Sequence, residues 1–166
     1  NPETSNNNIG LSLGGYHAFP TLAGETAATV VADRVAAVAT GGLKGVMYTD
    51  IQDNLDDYFI INYFGEADYL GTGTAGVPGH IPGAYQFTPG ASLALDQMLN
   101  VLPTDMPIVV YCWTSQTSSQ VTAYLNMLGY DAYSLKYGSN NLFYTDLAAH
   151  KWVAGADFPL VATPGI

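Results

Sequence analysis

Two kinds of hydrophobic pattern alternate along the chain. The clearest continuous apolar runs are Ile-Val-Val-Tyr at 108–111 and Tyr-Phe-Ile-Ile-Asn at 58–62. Runs of this length, rich in β-branched and aromatic residues, predict strands that are buried on both faces, as the strands of a parallel sheet are. Shorter runs predict further strands at 44–48, 85–87 and 132–136, the first of them at an edge of the sheet.

Helical periodicity fills most of the intervals between these runs. In 25–40 the valines share one helical face and Gly41-Gly42 ends the pattern, so we expect a helix packed against the sheet. After the 108–111 run, apolar residues recur at helical spacing as far as Gly129. Strands that alternate with helices predict an α/β fold, with a central, mainly parallel sheet flanked by helices on both faces. Shorter helical segments are predicted at 50–57, at 66–69, at 92–99 and from Leu142 onward.

Cys112, the only cysteine of the chain, stands between the 108–111 strand and the helix that follows it. A loop that leads from the carboxyl end of a strand into a helix presents several unpaired backbone N–H groups to one point. These groups and the helix dipole stabilise a thiolate, so the segment predicts a nucleophilic sulfur in an anion-binding cradle. The alternative is a buried structural cysteine, the usual environment of a free thiol. The hydroxyl- and amide-rich loop after Cys112 favours the first interpretation.

Several segments resemble, in the same order, the motifs of the rhodanese (sulfurtransferase) family. The apolar strand that ends in cysteine resembles the active-site segment, and Gly-His-Ile-Pro-Gly-Ala at 79–84 resembles the G-H-I-P-G-A turn. Glu-Ala-Asp-Tyr at 66–69 resembles the helix before that turn. Leu-Gly-Tyr at 128–130 and Ala-Tyr-Ser-Leu-Lys-Tyr-Gly at 132–138 resemble the later helix end, strand and glycine turn.

The resemblance implies sulfur transfer with Cys112 as the catalytic residue. Its thiolate attacks the outer sulfur of a donor and becomes a persulfide, from which a thiol or cyanide acceptor removes the sulfur. Backbone N–H groups of the loop are expected to hold that sulfur. The predicted substrate-binding residues are Trp113, Thr114, Ser115, Gln116, Thr117 and Ser118.

Finer roles follow from the same resemblance. Thr117 corresponds to the loop-closing hydroxyl residue that bonds the sulfur, while Ser118 and Ser119 are expected to cap the next helix. His80 is implied to be structural, bonding the backbone within the turn. A role for His80 as an acid or base beside Cys112 stays open, because Cys–His pairs activate thiols.

Departures from the family pattern bear on the substrate. Many relatives have Asp-Val-Arg where this chain has Asn-Tyr-Phe at 62–64, and no Arg or Lys lies in the loop after Cys112. Trp113 offers an aromatic wall instead, and the nearest cation in the sequence is Lys136. We therefore predict transfer from polysulfide or an organic persulfide, with weak use of thiosulfate. A related family of protein phosphatases needs a loop arginine to bind phosphate, so phosphatase activity is not expected.

Composition is that of one folded domain. The 166 residues are 48% hydrophobic, enough to bury a core. We expect an N-terminal arm at 1–22 and a single domain at 23–166, including a C-terminal tail packed on it. The net charge of −10 argues against nucleic acid and anionic membrane surfaces as partners. No apolar run approaches the ~18 residues of a membrane span.

The expected partners are a small sulfur donor and a thiol or cyanide acceptor, with no cofactor and no metal. His17 has no second ligand at suitable spacing. Gly-Thr-Gly-Thr-Ala-Gly at 71–76 has the glycine spacing of a dinucleotide site but not its strand–helix context. Few lysines and a start without an initiator methionine are typical of an exported bacterial protein, so we expect a periplasmic or extracytoplasmic location, with a cytoplasmic one still open.

One function of another class stays open. The chain has lost the Asp and Arg of many relatives, as expected for a non-catalytic rhodanese-like module that carries sulfide or binds a protein. Retention of Cys112 in its loop favours the enzyme.

Overall fold

A five-stranded sheet organises the chain. The computed structural model describes residues 2–4, 8 and 17–153. Every strand pair in the sheet is parallel, and the strand order is β1-β5-β4-β2-β3. The α/β class predicted from the sequence is therefore confirmed. The strands are β1 (Gly45–Val46), β2 (Phe59–Asn62), β3 (Tyr85–Gln86), β4 (Ile108–Tyr111) and β5 (Ala132–Leu135).

The centre of the sheet is the β2–β4 pair. These strands run in register from Phe59 opposite Ile108 to Asn62 opposite Tyr111, and every residue of both is buried. Strands buried at consecutive positions have both faces covered, which is why their sequences are continuously apolar. The two-residue strands β1 and β3 form the edges of the sheet. An edge position had been predicted for the 44–48 strand.

Short helices and one long helix connect the strands. Among the described residues no helix is long and apolar enough to cross a bilayer. The α-helices are α1 (Ala27–Gly41), α2 (Tyr48–Ile51), α3 (Glu66–Tyr69), α4 (Gln116–Met127) and α5 (Ser139–Leu142), and single 3₁₀ turns cover Leu55–Asp57 and Met98–Val101.

Helix α4 packs on β4 and β5, and α1 packs on α4. The expectation that α1 lies against the sheet is thus wrong. Val31 and Val35 point to solvent, and no residue of α1 is fully buried. The helix is fastened instead by Arg34, whose guanidinium donates to the last carbonyls of α4. A cation is favoured at that end of a helix.

Gly129 ends α4 as predicted. It adopts φ 96°, a conformation that glycine accepts without steric cost. A side chain here would also collide with the N-terminal segment, because a Cβ would lie 2.6 Å from Leu22 and 2.9 Å from Pro20.

The predicted helix at 92–99 is wrong. Residues 92–97 form turns, and a 3₁₀ turn follows at Met98–Val101. The Ser92 hydroxyl accepts a hydrogen bond from the Thr88 N–H at 2.8 Å, and Met98 N–H donates back to the Ser92 carbonyl. Such local side-chain bonds compete with helix formation. The helical turn expected from Leu142 likewise begins earlier, at Ser139.

The described part of the predicted N-terminal arm lies on the domain. Glu3 and His80 exchange two backbone hydrogen bonds of 2.8 Å, and Asn8 accepts a bond from Gln86 N–H. His17 N–H donates to the Asn100 carbonyl. Of the predicted tail, 151–153 are described and 154–166 lie outside the described residues.

Candidate functional site

Cys112 lies directly beyond β4, where the chain turns into α4. Its Sγ accepts a hydrogen bond from Ser118 N–H at 3.3 Å, and Sγ lies 3.6 Å from Ser118 Oγ. The thiol is buried, with 2% of the residue exposed. The sulfur therefore lies at the amino end of α4, where a backbone N–H already points at it.

The loop around the thiol has a fixed and strained shape. Ser115, the residue before α4, adopts φ 73°, in the left-handed region that few non-glycine residues occupy. Gly138 closes on the loop from the β5–α5 connection, since a Cβ on it would lie 2.1 Å from the Cys112 carbonyl oxygen. Ser139 N–H donates to that oxygen at 2.9 Å. Only glycine permits this approach at 138.

Several N–H groups of the loop are available to a ligand. The backbone N–H groups of residues 113–117 donate to no other residue within the described ranges. They belong to the loop and to the first turn of α4, whose N–H groups have no partner inside a helix. Ser118 N–H is bonded to Sγ, and the N–H groups of 113–117, which follow the cysteine directly in the chain, are further donors for a sulfur anion.

Hydroxyl groups lie behind the sulfur. Ser134 Oγ, on β5, is 2.8 Å from Ser118 Oγ, 3.0 Å from Ser115 Oγ and 3.4 Å from Ser119 Oγ. Ser134 was not predicted from the sequence as part of the site, although a serine inside a buried strand needs a hydrogen-bond partner.

These contacts correct three assignments made from the sequence. Helix α4 begins at Gln116, so Ser118 and Ser119 lie within it and do not cap it. The hydroxyl beside the thiol is that of Ser118, not that of Thr117, whose side chain is exposed. All three roles were misassigned because the predicted start of α4 lay after Gln116, where the helix begins.

Aromatic rings cover the loop. The Trp113 ring stacks on the Phe64 ring with centroids 4.1 Å apart, and the His150 ring also stacks on Trp113, at 4.9 Å. Phe64, 1% exposed, also meets Tyr111 edge-on at 5.5 Å. The phenylalanine thus holds Trp113 by an apolar contact.

A buried polar network fixes the end of β4. The Tyr111 hydroxyl accepts hydrogen bonds from the Asn62 side-chain amide at 2.8 Å and from Ile81 N–H at 3.0 Å. Asn62 Oδ1 in turn accepts from Phe64 N–H at 3.2 Å. Burial raises the pKa of the Tyr111 hydroxyl, which keeps it neutral. At positions 62 and 64, where many relatives have Asp and Arg, this chain therefore has a neutral amide and an aromatic ring.

Comparison with known families identifies this arrangement. The model of the rhodanese-like domain matches residues 50–143. This range contains the Cys112 loop, α4 and every strand of the sheet except β1. The chain belongs to the rhodanese-like domain family. No curated protein matches the chain. The predicted family and the predicted rhodanese-like fold are confirmed.

Three solved structures are distantly similar to the chain. A rhodanese-related protein from Thermoplasma volcanium is 16% identical, with a TM-score of 0.45, over 57% of this chain and 85% of that one. A protein from Staphylococcus saprophyticus is 20% identical, with a TM-score of 0.45, over 58% and 90%. A NAD-dependent persulfide reductase from A. fulgidus is 20% identical, with a TM-score of 0.46, and the match covers 69% of this chain but 18% of the reductase.

In this rhodanese-like domain, His80 has the structural role that the turn motif implied. Its Nδ1 lies 2.8 Å from the Tyr69 carbonyl oxygen, and its ring stacks on the Tyr69 ring at 3.6 Å. Burial lowers the pKa of His80, while the Tyr69 carbonyl and Glu3 act in the opposite direction. Among the described residues, no hydrogen bond, ion pair or ring contact joins His80 to Cys112.

The remaining predicted residues line the surface beside the loop. Thr114 Oγ1 donates to Gln116 Oε1 at 2.9 Å, and both residues, with Ser115, border a hollow of about 350 Å³. Lys136, the nearest cation by sequence, lines the same hollow. Of the predicted residues, Ser118 therefore contacts the sulfur and Trp113 belongs to the aromatic cover. Residues 114–116 line the adjoining hollow.

Proposed function

We propose that this rhodanese-like domain is a sulfurtransferase that carries a sulfane sulfur on Cys112. The thiolate attacks the outer sulfur of a donor R–S–SH. A bond forms between Sγ and that sulfur, the donor S–S bond breaks, and R–S⁻ leaves with the electron pair. Cyanide or a thiol then removes the sulfur, and the Cys112 thiol is regenerated. In the transfer to cyanide the acceptor is the two-electron reductant of the sulfane sulfur, thiocyanate is the product, and no further oxidant or reductant is needed.

The observation that carries the proposal is the position of Sγ. It accepts a hydrogen bond from Ser118 N–H at 3.3 Å, at the end of a loop whose N–H groups at 113–117 have no partner in the described chain. Donors placed in advance stabilise the negative charge of the thiolate and of the terminal persulfide sulfur. A cysteine used only for packing would not need them.

The charges of the site bear on the donor. No Arg or Lys lies between Cys112 and the end of α4, and Phe64 is buried against Trp113 rather than presenting a cation. Thiosulfate needs a cation to hold its sulfonate group, and the loop after Cys112 supplies none. We expect polysulfide or an organic persulfide to be the better donor, because neither requires a cationic sulfonate site.

Thiocyanate release under steady-state conditions tests the proposal. Donors are trisulfide, an organic persulfide and thiosulfate, cyanide is the acceptor, and the Cys112→Ser variant gives the uncatalysed rate to be subtracted. Turnover above that rate, with kcat/KM for trisulfide at least about tenfold above that for thiosulfate, supports the proposal. Absence of turnover with every donor contradicts it, and a low KM for thiosulfate contradicts the donor preference.

A non-catalytic module is the second candidate. The observations that favour it are the 2% exposure of Cys112 and the replacement of an Asp–Arg pair by Asn62 and Phe64. Such a module would take up sulfur without turning over, or would bind a protein with equal affinity in wild type and Cys112→Ser. The steady-state assay separates these cases, because only the enzyme releases thiocyanate repeatedly.

A further inference from the structure

Beside the Cys112 loop the described surface contains two neighbouring hollows. One, of about 350 Å³, is bordered by Thr114, Gln116 and Lys136. The other, of about 430 Å³, is bordered by residues of α5 and by Tyr144. Tyr137 and Trp152 line both, so the hollows share two aromatic walls. Volumes of a few hundred Å³ are typical of small-molecule sites and exceed what an ion such as thiosulfate fills.

Hydrogen bonds fasten the shared wall to the catalytic loop. Asn140 accepts from Trp152 N–H at 2.7 Å, and its amide nitrogen donates to the Trp113 carbonyl at 2.9 Å. The Tyr144 hydroxyl donates to the Trp152 carbonyl at 2.7 Å. One side chain, Asn140, therefore joins the residue after Cys112 to the tryptophan of the hollow.

Tyr137 is held in an unusual backbone conformation. Its φ is 66°, a region that is costly for a bulky side chain. The residue is 57% exposed, so burial of its side chain does not compensate for that cost. A glycine would fit this backbone better, yet the chain places there an aromatic side chain that lines both hollows.

The hollow carries an uncompensated positive charge. Of the four Lys and Arg side chains, Arg34 is bonded to backbone carbonyls, Lys44 is paired with a carboxylate, and Lys151 lies over a tyrosine ring. The Lys136 ammonium makes no ion pair or hydrogen bond with any residue that the structure describes. None of the described residues that line the two hollows is Asp or Glu. A positive site in an acidic protein favours an anionic ligand.

We propose that these hollows bind the organic part of a carboxylate-bearing persulfide, the donor of the sulfur that Cys112 receives. The inference rests on the proposed sulfur transfer and specifies its substrate class. Tyr137 and Trp152 contact the carbon skeleton of the donor, and Lys136 pairs with a carboxylate. In the transfer the outer sulfur of the persulfide bonds to Sγ, and the organic thiolate leaves with the electron pair.

The test compares glutathione persulfide with the persulfide of glutathione diethyl ester, in which two neutral ethyl esters replace the two carboxylates. The kcat/KM ratio of acid to ester is measured by thiocyanate release for wild type, Lys136→Gln and the matched control Lys44→Gln, each corrected with Cys112→Ser. The ratio is expected to fall about threefold in Lys136→Gln, the value of one partly exposed ion pair, and to stay unchanged in Lys44→Gln.

Tyr137→Gly tests the aromatic wall without straining the backbone, because glycine accepts the φ at 137. We expect KM for both organic persulfides to rise about fivefold or more, with little change in kcat. An equal acid-to-ester ratio in wild type and Lys136→Gln, or an unchanged KM in Tyr137→Gly, would overturn this inference. If trisulfide also fails as a donor, the sulfurtransferase proposal itself is overturned.

Discussion

Tyr111→Phe removes one oxygen atom from the buried network that fixes the end of β4. That oxygen accepts hydrogen bonds from the Asn62 amide at 2.8 Å and from Ile81 N–H at 3.0 Å, and both donors are buried. A buried donor left without a partner costs about 1–3 kcal/mol. Two such donors give an expected loss of about 2–6 kcal/mol in the free energy of unfolding, which is a large part of the stability of a typical domain.

Urea unfolding followed by tyrosine and tryptophan fluorescence measures this loss. Tyr130→Phe is the matched control, because its hydroxyl donates one hydrogen bond, to the Leu99 carbonyl at 3.1 Å, and its removal leaves only an acceptor unpaired. We expect the control to lose about 1 kcal/mol with the same dependence on urea. A loss in Tyr111→Phe no larger than in Tyr130→Phe would refute the assigned role of this network.

Three further predictions concern the site and the turn. Phe64→Ala removes the buried ring that holds Trp113 and should cost about 3–5 kcal/mol in urea unfolding, whereas Phe19→Ala, at a residue 49% exposed, should change little. Ser118→Ala removes the hydroxyl that lies beside Sγ and Ser134 Oγ, and it should slow the loading of sulfur onto Cys112 about tenfold. The control Ser119→Ala should change that rate little. His80→Gln should flatten the decline of stability that sets in as the pH falls through about 6.5, because the pKa of His80 is lowered by burial in the folded protein.

The sign of the His80 prediction follows from its burial. Its pKa is lowered in the folded protein, so below the ordinary value of about 6.5 the unfolded chain takes up a proton that the folded chain does not. Stability due to His80 is therefore present above that value and is lost as the pH falls toward the lower, folded pKa. An equally steep decline in His80→Gln would show that another group is responsible. For Ser118→Ala and Phe64→Ala, equality with the control variant is the contradicting result.

The sequence was most informative where the structure is local. The strand at 108–111, the position of Cys112 and the end of α4 at Gly129 follow from one continuous segment, and all were predicted. These features depend on periodicity and turn chemistry within a few residues, which a single sequence contains. The structural role of His80 was instead implied by the resemblance of the 79–84 turn to the rhodanese motif.

Features that depend on distant pairings were missed. Ser134 reaches Ser118 from another strand, and Phe64 and His150 stack on Trp113 from two separate parts of the chain. No local pattern indicates that these residues meet. The false helix at 92–99 has a local cause: its apolar residues at 93, 95 and 98 do not follow the helical period closely.

The exposed face of α1 shows the same limit. Valine spacing predicted the helix but not its partner, and the packing on α4 depends on Arg34 reaching the carbonyls at the end of that helix. A hydrogen bond between residues so far apart in sequence cannot be inferred from either segment alone.

The intact mass of the reduced protein after incubation with trisulfide tests the central claim most directly. The account predicts a gain of one sulfur atom, absent in Cys112→Ser and reversed by cyanide with release of an equal amount of thiocyanate. A wild-type mass that stays unchanged, or a gain that is equal in Cys112→Ser, would contradict sulfur transfer through Cys112.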